Sequence, residues 1–138
     1  MNASSIFWPV IVQALLTLSL FVPMFRSRVA AVKAGEVTTG NFRLRETEPE
    51  RSAKYVNAIT NQYETPVLYY AVCIIAYVTA TVGPVMLVLA WLWCLAKVAH
   101  ILIFVTSNRL RHRMPAFGVS AFVLLLMWLT LAVSLLTA

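Results

Sequence analysis

Residues Lys54–Pro66 read KYVNAITNQYETP and run straight into an apolar segment. Lys54, Asn57, Asn61 and Glu64 are spaced three, four and three apart, so on a helix they form one stripe. A carboxylate and two carboxamides at the mouth of a membrane helix are costly to desolvate. They require water, another helix or a polar ligand as partner. What that stripe faces therefore decides the function.

The surroundings define the solvent. Of 138 residues, 61% are hydrophobic, and the mean hydropathy is +0.82, whereas a soluble domain sits near about 45–50% apolar. The expectation is an all-α, integral membrane four-helix bundle with a single domain over 1–138 and spans at about 6–25, 64–82, 84–105 and 116–136. Trp8 and Pro9 suit the start of the first span. Pro23 and Pro66 each remove a backbone donor, so a kink is expected near the end of the first span and another beside Glu64. Pro49 is a plausible first-turn residue for the second helix. The N-terminal apolar run is too long for a cleaved signal peptide and lacks its basic start, so it is expected to be a retained helix.

Charge distribution predicts topology. Seven of the eleven Lys and Arg residues lie between spans one and two and three between spans three and four. The turn Thr81–Pro84 and both termini carry none. By the positive-inside rule the basic connections are cytoplasmic and both termini are on the non-cytoplasmic side. The net charge of +6 thus reports membrane orientation, and no nucleic-acid partner is expected. Cys73 and Cys94 sit inside apolar segments, without metal-ligand spacing. No metal site is expected.

Few residues can carry chemistry. Glu64 either pairs with Lys97 between helices or accepts a hydrogen bond from a ligand such as an amine. Lys97 and His100 are three apart and share a face of the third span, and Ser107 and Arg111 extend that stripe if the helix continues. Arg109, Arg111 and Arg113 alternate in a short basic turn. They serve anionic headgroups, or one of them stabilises a ligand thiolate or carboxylate. Arg43 and Arg45 admit the same two readings. Tyr69, Tyr70, Tyr77, Trp91, Trp93 and Trp128 are expected in packing and at the membrane interface.

At these residues the chain resembles the MAPEG superfamily, the membrane-associated proteins in eicosanoid and glutathione metabolism. Asn61–Thr65, NQYET, is similar to the family's Asn-x-x-Glu-Thr/Asn signature. Gly40–Arg45, GNFRLR, is similar to its Gly-x-x-Arg-Leu-Arg segment. Lys97–Arg113 is similar to a helix-three signature, Arg-x-x-His-x-x-x-Tyr, with an arginine nine residues further on. The resemblance covers nearly the whole chain and is that of a diverged, bacterial-type member, for which an inner membrane is the expected location.

The resemblance implies a homotrimer that holds glutathione as co-substrate between neighbouring subunits, near the cytoplasmic side. Arg43, Asn57, Asn61, Glu64, Lys97, His100 and Phe104 would line the tripeptide site, with Glu64 on its amino group. Arg113 would be catalytic and activate the thiol. The chain departs from the pattern at four places. Lys97 stands for arginine, Phe104 for tyrosine, Phe117 is near a second tyrosine position, and Asn57 stands where relatives often carry arginine. Two guanidinium forks and two hydroxyl donors are thereby altered. The expected function is glutathione-dependent transferase or peroxidase chemistry on a hydrophobic small-molecule electrophile entering from the lipid bilayer. The alternative is a non-catalytic membrane protein of the same fold that binds a lipid or small ligand. A proton-coupled exporter would place its acid nearer mid-membrane than Glu64.

Overall fold

A computed structural model describes residues 2–44 and 47–137, and every regular element among them is helical. A 3₁₀ turn, Ala3–Ile6, opens the chain and leads into α1, Phe7–Ser19. Pro23 lacks the N–H that would pair with the Ser19 carbonyl, and the helix interrupts at Leu20. Leu20 N–H bonds Thr17 O at 3.2 Å, a tightened turn, before α2 resumes over Phe21–Lys33. Gly35, at φ +72°, closes α2, with Glu36 N–H returning to Ala31 O at 3.1 Å. A short helix, α3, covers Thr39–Leu44. Arg45, singled out from the sequence, lies outside the described residues.

The kink expected beside Glu64 is a full break. Helix α4, Glu50–Gln62, is polar along one side, and α5 starts again at Thr65 and ends at Val78. Between them Tyr63 N–H bonds Thr60 O at 3.0 Å, and Glu64 leaves helical geometry at φ −96°, ψ −100°. Proline at 66 accounts for this, since it cannot donate to the Gln62 carbonyl and disfavours the helical region for the residue before it. The second helix, expected to reach Val82, stops four residues sooner. Ala80 takes φ +56° and Thr81 N–H bonds Ala76 O at 2.9 Å, a left-handed cap.

Helix α6 runs Pro84–Val105 and α7 Leu110–Thr137. The latter starts ahead of the expected position, so Pro115 and Arg113 both lie inside its first turns. Three helical stretches among the described residues are long and apolar enough to cross a membrane: Ala3–Lys33, Pro84–Val105 and Leu110–Thr137. Helix α5 is apolar but has 14 residues, about 21 Å of rise, short of a hydrocarbon core of about 30 Å. The outward faces carry Leu15, Leu18, Val22, Leu95, Phe122 and Leu129, all exposed. Apolar side chains there suit lipid contact, so the chain is an integral membrane protein.

Two apolar clusters hold the helices together. One joins Tyr69, Val72 and Ala76 of α5 to Met86, Ala90 and Trp93 of α6 and Met127 of α7. Its centre is Tyr69 stacked on Trp93, with centroids 3.8 Å apart and planes within 10°. The second joins Leu20 to Ala58 and Ile59 of α4 and to Ile101 and Phe104 of α6. The buried polar residues Gln13, Gln62, Lys97 and His100 belong to neither cluster.

Candidate functional site

The break at Glu64 sets the site. Because α4 ends at Gln62, the four-residue stripe divides. Glu64 and Asn57 are exposed, Lys54 is half-buried, and Asn61 is half-buried and reaches α6. Of the two readings of Glu64, the direct ion pair with Lys97 is therefore replaced by a bridge. Lys97 Nζ donates to Asn61 Oδ1 at 2.9 Å, and Asn61 Nδ2 donates to Glu64 Oε2 at 3.0 Å. One carboxamide thus links a fully buried amine to an exposed carboxylate.

Lys97 lies on α6 at 0% exposure, with its ammonium 5.4 Å from the Phe117 ring centroid. An ammonium has three N–H donors. Asn61 and an aromatic face are the partners that the surrounding residues supply. One turn along, His100 is also buried, and its Nδ1 has no hydrogen-bond partner. The imidazole meets Phe104 edge-on at 5.8 Å and Phe117 at 5.7 Å. Neither ring offers a hydroxyl, which accounts for the idle nitrogen.

Arg113 reaches the same place from α7. Its guanidinium carbon lies 4.2 Å from the Phe104 ring centroid, and Nη1 donates to Asn108 Oδ1 at 2.9 Å. A cavity of about 260 Å³ opens among Asn61, His100, Phe104, Arg113, Met114 and Phe117. It is walled by two phenylalanines and carries a guanidinium, an orphaned imidazole nitrogen and a carboxamide. The carboxylate and the amine stand behind that carboxamide. Such a set accommodates a small ligand with both an anionic and a cationic end.

Of the residues expected to act together, Asn61, His100, Phe104 and Arg113 line the cavity, and Lys97 and Glu64 join it through hydrogen bonds to Asn61. Arg43 is exposed on α3 and Asn57 on α4, and neither lines this cavity. Ser107 and Arg111 do not extend the α6 stripe, because that helix ends at Val105. Arg109 and Arg111 are exposed, which leaves Arg113 as the member of the basic turn that lines the cavity.

Two further polar contacts are not visible in residue spacing. Gln13 Nε2 donates to Gln62 Oε1 at 2.7 Å, both buried, across 49 residues of chain. Asn108 accepts from Arg113 Nη1 at 2.9 Å; the signal for it is an asparagine three residues beyond the end of α6, a residue type that tolerates the left-handed conformation.

A helical membrane protein with a cationic pocket between its longest apolar helices is the class these features define. The MAPEG family profile matches residues 6–133, nearly the whole chain, and the protein belongs to that family. No curated protein and no solved structure matches it.

Proposed function

We propose that this protein is a glutathione-dependent transferase or peroxidase acting on a hydrophobic electrophile at the cytoplasmic side of the bilayer. In this reading α4 and α5 count together as one broken span, making four, and three copies assemble around a common axis. The basic connections put both termini on the non-cytoplasmic side. Family membership supports a role in that superfamily. The observation that carries the reading further is the hydrogen-bonded chain Lys97–Asn61–Glu64 ending beside a cavity that also holds Arg113.

The chemistry follows from those groups. Glu64 accepts hydrogen bonds from the tripeptide's ammonium, and Asn61 holds the carboxylate in place. Phe104 and Phe117 bound the cavity and limit water. Arg113 stabilises the thiolate, while the thiol proton passes to water. The sulfur then forms a bond to the electrophilic atom of a lipophilic substrate, and the displaced electron pair leaves with the departing group. His100 Nδ1 supplies a further polar contact for the peptide. Arg43 and Asn57 serve this reading only if a neighbouring subunit's ligand lies beside them.

A second reading has its own support. A larger, mostly apolar cavity of about 410 Å³ lies between α2 and α3, bordered by Phe25, Val29 and Phe42 with Arg28 and Lys33. Basic groups around an apolar hollow suit a lipid with an anionic headgroup. Thermal unfolding in detergent separates the two. Millimolar glutathione raises the melting temperature of the wild type, and Glu64→Gln abolishes the rise. Arg113→Ala retains weakened binding but forms no thiolate at neutral pH. Stabilisation by anionic phospholipid, with none by glutathione or its S-alkyl analogues, would establish the lipid reading instead.

A further inference from the structure

We infer that Asn108 is a positioning residue for the Arg113 guanidinium, and through it sets how strongly the cavity stabilises an anionic sulfur. This rests on the glutathione reading above. Asn108 sits at φ +49°, a conformation that asparagine adopts more readily than most side chains. Its own N–H is committed to Ile103 O at 2.8 Å, which ties it to the end of α6. Its backbone is therefore held in place, and Arg113 Nη1 donates to its side-chain Oδ1 at 2.9 Å.

Arginine is a long, flexible side chain that an unconstrained turn would leave in many rotamers. Here it is gripped twice. The Phe104 ring takes one face, with the guanidinium carbon 4.2 Å from the centroid, and Asn108 takes one nitrogen. The remaining N–H groups of the fork are left for the cavity that Arg113 lines. Arg109 and Arg111, from the same turn, lack such a clamp in the described contacts, are exposed and do not line it. The clamp matters more here because residues 104 and 117 are phenylalanines, without hydroxyls to share the charge of a thiolate. The guanidinium, lying in the first turns of α7, is the cation that lines the cavity and can take that charge.

Asn108→Gly tests this cleanly, since glycine takes φ +49° without strain and deletes only the carboxamide. The full-length protein, saturated with glutathione, is titrated with pH while thiolate ultraviolet absorbance is followed. The variant is expected to keep the wild-type melting temperature. Its thiolate midpoint should move upward by about tenfold in proton concentration, roughly one pH unit. Affinity for S-hexylglutathione, which has no thiol, should change less than about twofold in this variant, because the other contacts remain. On an Arg113→Ala background the same substitution should move the midpoint no further. A wild-type titration for Asn108→Gly, or an equal shift with and without Arg113, would overturn the positioning role. Unfolding of Asn108→Gly would do so too, by showing that the carboxamide holds the turn rather than the guanidinium. A wild type that binds glutathione but shows no thiolate up to the midpoint of free glutathione removes Arg113's role and Asn108's with it. A wild type that binds no glutathione removes the underlying reading first.

Discussion

Lys97→Met separates what the buried amine does for folding from what it does for binding. Lys97 is wholly buried on a membrane-spanning helix, where a cationic side chain costs on the order of 2.5–3.5 kcal/mol on insertion scales. Two contacts offset this. The hydrogen bond to Asn61 Oδ1 at 2.9 Å is charge-assisted and contributes about 1.5–3 kcal/mol. The Phe117 face, 5.4 Å away, adds about 0.5–1 kcal/mol. Cost and gain nearly cancel, so the amine contributes little to stability. Methionine keeps most of the volume of the stem and discards both sides of that balance. Asn61 is half-buried, and its freed oxygen can turn to water. Lys97→Met is expected to leave unfolding free energy unchanged or raise it by up to about 2 kcal/mol, as replacements of buried charges by apolar side chains often do. Released from Nζ, the Asn61 carboxamide no longer presents Nδ2 steadily to Glu64, and under the proposed function glutathione affinity should fall about tenfold, equivalent to about 1.4 kcal/mol. Denaturant or thermal unfolding in detergent reads the first quantity and calorimetric titration the second. A loss of stability beyond about 1 kcal/mol with glutathione affinity intact would show that Lys97 is a structural tie, and the reasoning would fail.

Two further outcomes follow from polar contacts outside the cavity. Gln13→Leu strands the buried Gln62 Oε1 that Gln13 Nε2 reaches at 2.7 Å, and should cost about 1–3 kcal/mol; Gln13→Leu with Gln62→Leu should recover most of it, and an additive double-variant cycle in unfolding experiments would contradict the pairing. Glu48 accepts from the Arg28 guanidinium and from Ser52 Oγ; burial pushes its carboxyl upward, but those hydrogen bonds and the Arg28 charge outweigh it and hold Glu48 below its ordinary value of 4.5. The unfolded chain therefore binds the proton more tightly, so the pair's stabilisation is complete above about pH 4.5 and is lost as pH falls through the lower folded value. Glu48→Gln should remove that acid-side slope from the melting temperature, at a cost near neutral pH of no more than about 1 kcal/mol.

Much of the architecture was legible because a bilayer leaves few choices. Runs of apolar residues of helix-spanning length must be helices, and Pro84 began α6 where expected. What pattern reading handled poorly was the consequence of proline. It marked a kink beside Glu64, but continuing the helical phase through that kink assigned Glu64, Asn61 and Asn57 to one face. The break rotates Glu64 out of register, so Asn61 meets Lys97 in its place. The last helix begins at Leu110, ahead of Pro115, because a proline is tolerated within a helix's first turns. The Gln13–Gln62 contact could not be seen, since nothing local links residues 49 apart.

The phenylalanines show where the two levels meet. Read as letters, Phe104 and Phe117 are losses of hydroxyl donors. In three dimensions they are also gains, since each ring presents its face to a cation, Arg113 at 4.2 Å and Lys97 at 5.4 Å. They also leave His100 Nδ1 without a partner. A phenolic hydroxyl could share the charge of an anionic sulfur directly, whereas a phenyl ring can only orient the cation that does so. Thiol activation here, if the glutathione reading holds, thus depends on how rigidly one guanidinium is held, and the groups that hold it are Phe104 and Asn108.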